Sequence, residues 1–329
     1  MKSWDKLPVE TCRSISAGGA KAFSENYGEI YDAEDHKVLS LFGDFLKNLK
    51  NSPLPELQHG KAGKKLEMQE IINIAKNIAG AIDPTLLSRF EALIQENRLE
   101  IIKGDDIIKK FKRNASETDM ENRIIRLDPF NNATDICIIL HEFIHLEVPF
   151  RNDEKRFTLL MEIAPHVVEL LAADALEQRG DVASNTRAKV CDVLKGEAGL
   201  RMLEFMDGWK QNGKVSEDSV REFSQFRCTP EELAQFGGHI TPSNEYGRST
   251  AAASYSVGVA SAIVLVEKIK NKELDLQTVF AVLQNPELDE AQRLVELGIN
   301  TQSLNSAVHN YVGKHRAKEA TPSVDDSML

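Results

Sequence analysis

The sequence has no apolar run long enough to span a bilayer, no paired-cysteine motif and no excess of positive charge, and each absence removes a class of protein. Its most apolar stretch, residues 251–266, is rich in Ala, Ser and Gly and falls short of the roughly 20 residues that a membrane helix needs. A tightly packed buried helix is expected there instead. The four cysteines, Cys12, Cys137, Cys191 and Cys228, are scattered without CxxC spacing, which speaks against a disulfide framework or a zinc ribbon. Lys and Arg number 40 against 51 Asp and Glu, and the formal net charge of -11 argues against nucleic acid or an anionic membrane as the main partner. Residues 1–12 carry Lys2, Asp5, Lys6 and Glu10 and no apolar core. No Sec-type signal peptide is expected, so the chain is assigned to the cytoplasm, with export by a route that cleaves no signal kept open. The sequons at Asn114 and Asn132 then carry no weight, and no internal repeat is visible.

With 42% hydrophobic and 28% charged residues over 329 positions, the composition is that of an ordinary globular protein. Apolar residues recur at three-and-four spacing in Val38, Leu39, Leu41, Phe42, Phe45 and Leu46, and again in Ile71, Ile72, Ile74 and Ile78, which predicts helices. A polar stretch with Pro53, Pro55, Gly60 and Gly63 separates the two. Residues 99–103 and 122–127 read as short strands flanking an acidic patch at 114–121. The expected fold class is mainly α with a small β-sheet (α+β). Beyond Asp128-Pro129, the segment 131–135 supplies N-cap candidates for an apolar helix that Pro149 stops. A further helix is expected over 154–179, kinked at Pro165 and ended by Gly180. More helices are expected over 184–207, 216–225, 249–271, 275–284, 289–297 and 302–312, with a polar, disordered tail over 314–329.

The expected helix before Pro149 carries His141-Glu142-Phe143-Ile144-His145, the HExxH pattern. Residues four apart lie one turn apart on a helix face, so two imidazoles can converge on one metal ion, zinc being the usual one. Glu142 is offset from that face and can reach a water activated by the ion, take its proton and act as general base in attack on a carbonyl. The run Ile136 to Leu140 is almost wholly apolar, so the helix is buried and its two histidines and glutamate need a metal or hydrogen bonds to satisfy them. A third ligand is required, and the next helix offers Glu162 and Glu169, seven residues apart on nearly one face, with His166 between them. Glu162 is the chosen ligand. Glu169 is expected to hydrogen-bond a ligating imidazole or to line the site, and His166 reads more readily as a satisfied core histidine than as a ligand.

Residues 135–145, DICIILHEFIH, followed by Met161-Glu-Ile-Ala-Pro-His-Val-Val-Glu169, resemble the thimet oligopeptidase and oligoendopeptidase F group. In that group the histidine motif is followed by a glutamate ligand with another glutamate seven residues later. Residues 255–269, YSVGVASAIVLVEKI, are similar to the group's YATG-x-SAA helix, and Leu297-Gly-Ile-Asn300 is similar to its AGVD turn. The resemblance covers roughly residues 122–312 and implies a zincin-like metallopeptidase domain with zinc as cofactor and a peptide or protein as substrate. Gly237-Gly238-His239 and then Tyr246 match, with an insertion, the group's glycine-rich loop with its substrate-contacting His and Tyr, which makes His239 and Tyr246 candidate oxyanion donors. Ile144 stands where the group has glycine, Glu147 where the extended pattern is apolar, and Ala251, Ala252 and Ala253 where it has tyrosines. Tyr255 is expected to pack in the core.

The resulting assignment is a helical region over 1–98, a zincin-like catalytic domain over 99–313 and the tail. Its sheet is expected to offer the strand near 122–127 as an edge for substrate. The group's large N-terminal half has no counterpart of that size before residue 122. That favours a second reading, a dedicated effector- or toxin-like metalloprotease acting on one protein target. The missing tyrosines favour a third, a catalytically inactive zinc-binding interaction module.

Overall fold

Asn132 starts the helix that carries the histidine motif. Its side chain accepts a hydrogen bond from Thr134 N, and Asp135 answers by accepting from the backbone N–H of Asn132 and of Phe130, forming a capping box. The helix ends where Val148, restricted by the following Pro149, leaves the helical region at φ -119°, ψ 62°. The computed structural model describes residues 38, 41, 42, 44, 45, 48, 64–102, 116–148, 159–179, 190 and 242–319, without the side chains of 117, 242–254 and 316–319. In chain order its elements are α1 (Met68–Ile82), α2 (Pro84–Gln95), β1 (Leu99–Ile101), β2 (Glu117–Asp119), β3 (Ile124–Leu127), α3 (Ala133–Glu147), α4 (Ile163–Gln178), α5 (Pro242–Lys270), α6 (Leu276–Gln284), α7 (Glu290–Glu296) and α8 (Thr301–Glu319). The architecture is mainly α with one small mixed sheet. Among the described residues no helix is long and apolar enough to cross a membrane.

Several elements differ from expectation for local reasons. Asp83 caps α2 through Thr85 N and Pro84 occupies its first turn, a start signal that apolar periodicity alone misses. Pro165 does not kink α4, because the helix begins at Ile163 and places the proline in its first turn, where a missing N–H costs no bond. The expected helices over 184–207 and 216–225 lie outside the described residues apart from Val190, which is helical. The last helix runs past Gly313 to Glu319, into the segment expected to be a disordered tail. The turn resembling AGVD joins α7 to α8 through a Schellman motif: Gly298, at φ 66°, donates to Val295 O, and Ile299 donates to Leu294 O.

The sheet holds the main correction. Its order is β1-β3-β2, with β1 parallel and β2 antiparallel to β3. The strand at Ile124–Leu127 is therefore central and cannot accept an added strand; among the described residues the edges are β1 and β2, the latter built from the acidic patch between the two expected strands. Polar residues form that strand because it is half-exposed and only β3 pairs with it. Ile125 and Leu127 point into the core while Arg126 reaches out to Asp119 at 2.8 Å and to Glu100 at 3.2 Å.

α3 and α4 pack as a hairpin, α5 covers α4, and α1 lies against both α3 and α4. One apolar cluster runs from Val38 to Val312 without a break at 98/99. Phe90 of α2 meets Phe143 of α3 edge-to-face at 5.2 Å, so the histidine helix is clamped from its far side. Asn132→Ala should lower stability by about 1 kcal/mol, read as a fall in the urea midpoint at unchanged slope.

Candidate metal centre

Glu162 occupies the N-cap position of α4, yet its carboxylate caps nothing. Its Oε2 turns inward, where three imidazole nitrogens face it: His141 Nε2 at 3.3 Å, His145 Nε2 at 3.6 Å and His166 Nε2 at 4.0 Å. His141 and His145 come from adjacent turns of α3, and His166 lies one turn into α4. Glu162 and His166 are 4% and 1% exposed, and neither Glu162 Oε2 nor His166 Nε2 has a hydrogen-bond partner. Two orphaned polar atoms at one buried point demand an explanation.

Glu169 organises the outer side of the same cluster. Its Oε2 lies 3.0 Å from His141 Nδ1 and 2.9 Å from His166 Nδ1. An ionised carboxylate only accepts, so each ring donates from Nδ1 and turns Nε2 towards the centre. Burial works against a charged His141 ring, but the carboxylates of Glu162 and Glu169 outweigh it and push its pKa up to about 10. Burial dominates at His166 and lowers its pKa, with Glu169 opposing in part. At Glu162 burial raises the pKa, yet His141 and His145 overcome it and hold the carboxyl below the ordinary range. A second cation at this point would therefore compete with the proton on His141.

The donor chemistry fits a metal ion. Donors about 2.0–2.1 Å from a tetrahedral ion stand about 3.3–3.4 Å from one another, close to the spacings of His141 and His145 from Glu162. Among the described residues, His141, Glu162 and His166 form a buried trio with ligand atoms all within 4.8 Å of one another. His141 and Glu162 are common to both sets, while His145 and His166 approach the same carboxylate oxygen from different helices. The shorter approach favours His145 as the third member, and His166 stands just behind it.

Thr118 Oγ1, on β2, lies 2.7 Å from Glu142 Oε2 and 2.9 Å from Glu142 O, so one hydroxyl ties the acid to the edge strand. Thr118 was hidden in the sequence because a lone threonine in an acidic stretch carries no motif. Tyr255 does not pack deep in the core. It is partly exposed and lies parallel to His141 with ring centroids 6.4 Å apart, and edge-to-face on His166 at 5.5 Å, walling the cluster. Of the candidate oxyanion donors, His239 lies outside the described residues, and Tyr246 falls on α5 with its side chain outside them.

Gly258 of α5 makes the centre possible. A Cβ there would stand 2.5 Å from Glu162 Cβ and 2.8 Å from its backbone carbon and oxygen, so the two helices touch at this point through bare backbone. The glycine is the fourth residue of the YSVG segment that resembles the YATG pattern. Glu147, which departs from the extended pattern, points off the site to Arg89 at 3.0 Å and Arg123 at 3.6 Å. Gly258→Ala should cost about 1–3 kcal/mol of stability and displace Glu162, read as a lower melting temperature together with reduced metal content in the purified protein.

Neither protein-family models nor curated proteins match this sequence. Solved structures do share its fold. PZ peptidase A bound to an inhibitor is 12% identical with a TM-score of 0.53, over 95% of this chain and 59% of that one. A protein described as an oligoendopeptidase F from Bacillus anthracis str. Ames is 14% identical with a TM-score of 0.52, over 92% of this chain and 59% of that one. A protein described as a peptidase from Chlamydophila abortus is 13% identical with a TM-score of 0.52, over 95% of this chain and 56% of that one. The likeness at these identities is one of fold, and the chain spans less than two thirds of each structure's length.

Proposed function

We propose that this chain is a zinc-dependent peptidase whose ion is held by His141, His145 and Glu162 and whose general base is Glu142. The observation that carries the reading is the convergence of three imidazole nitrogens on one buried carboxylate oxygen without a hydrogen bond, that of Glu162, with Glu142 of the histidine helix tied to an edge strand beside it. The fold shared with PZ peptidase A and with the oligoendopeptidase F-like structures supports it.

Zinc in such a site supplies Lewis-acid polarisation of the scissile carbonyl and makes water acidic enough to yield its proton near neutral pH. The remaining work falls to the chain's own residues. Glu142 takes the water proton and delivers it to the departing amine. Thr118 holds that carboxylate in place through its hydroxyl, so the base meets the water in one orientation. Glu169 keeps His141 in the tautomer that presents Nε2. The edge of β2, with Thr118 on it, offers backbone N–H and C=O groups to an extended peptide, which brings the scissile bond beside Glu142. His239 and Tyr246 remain the proposed oxyanion donors, on the resemblance alone.

Glu142→Gln should retain zinc and lower hydrolysis of a random peptide pool by at least about 100-fold. Undiminished turnover in that variant would remove Glu142 from the mechanism. A wild-type protein that holds zinc but leaves the pool intact, and cuts one protein in a lysate, would point instead to a dedicated protein protease. Thr118→Val should lower kcat about tenfold with little change in KM, the cost of one hydrogen bond to a charged group, and Thr118→Ser should restore it. Equal loss in the valine and serine variants would show that Thr118 serves only the strand.

A further inference from the structure

His166 has no role in the reading above, yet it has the attributes of a ligand. The ring is 1% exposed, its Nδ1 is engaged by Glu169 at 2.9 Å, and its Nε2 is buried without a hydrogen-bond partner. That Nε2 faces Glu162 Oε2 at 4.0 Å, and the ring packs edge-to-face on His141 with centroids 4.8 Å apart. One oxygen of Glu169 thus accepts from His141 and from His166 alike, so both rings donate from Nδ1 and turn Nε2 towards the same Glu162 oxygen. A histidine kept merely as core packing would need only one hydrogen bond and would leave no lone pair stranded opposite a carboxylate.

We propose, resting on the zinc reading above, that His166 is a fourth protein ligand, making the centre one of three imidazoles and one carboxylate. A sphere that rich in nitrogen favours zinc and the later transition metals over magnesium, calcium or manganese. With four protein donors, room for water comes from expansion to five-coordination and not from an empty fourth position, as it does in three-ligand catalytic sites. Glu169 then orients two ligands at once, and its loss would disturb both.

Two measurements test the assignment. X-ray absorption at the zinc edge of the wild-type, zinc-loaded full chain should count three imidazoles, whereas two would overturn the assignment without touching the zinc reading. Zinc affinity, measured by competition with a chromophoric chelator, should fall about 100-fold in His166→Gln, at the upper end of or beyond what losing an outer partner of a ligand costs. The melting temperature of the metal-free variant reports whether it folds. Wild-type affinity in a folded variant would overturn the proposal, and failure of the wild-type chain to bind stoichiometric zinc would overturn it together with the reading on which it rests.

Discussion

A carboxylate oxygen buried without a hydrogen bond, as Glu162 Oε2 is, costs several kcal/mol unless something compensates it, and Glu162 is held in that position by three separate elements. The N-terminus of α4 places the residue, α3 brings His141 and His145 against its oxygen, and α5 reaches it so closely that only glycine fits at 258. Each of these would be unfavourable alone. Histidines in an apolar helix, an acid that caps nothing and a glycine inside a long helix are consistent with one another because they meet at one buried point.

The surrounding polar groups form two linked devices. On one side Glu169 binds the Nδ1 atoms of His141 and His166 and so determines which nitrogen of each ring faces inward. On the other, Thr118 ties Glu142 to β2, coupling the position of the acid to the strand proposed to hold an extended substrate. The histidine helix is thereby locked between a hydrogen-bonded carboxylate in the core and a strand at the rim. Departures from the resembled pattern fall outward: Glu147 sits at the end of α3 and is matched by Arg89 and Arg123, away from the cluster. A carboxylate near a helix C-terminus is unfavourable by itself, and the two guanidinium groups offset that cost.

Much of this was legible in local signals. The capping residues Asn132 and Asp135, the stop at Pro149, the four-residue step from His141 to His145 and the seven-residue step from Glu162 to Glu169 are all short-range patterns, and helix geometry converts such spacings directly into shared faces. Pro165 misled as a kink because a proline's effect depends on how far it lies from the helix start, which spacing alone does not reveal. β2 and Thr118 were missed for a different reason. A three-residue polar strand exists only because β3 pairs with it, and no periodicity announces such a partner.

Intrachain spacing within one or two turns was enough to put His141, His145, Glu162 and Glu169 on shared helix faces. Packing between elements sets which nitrogen of each histidine turns inward, that Glu162 leaves its helix end for the core, that β3 is the central strand, and that His166 Nε2 is left unsatisfied behind the other two histidines. Those outcomes depend on the distance between helices. Gly258 sets the closest of those distances by letting the backbone of α5 touch Glu162.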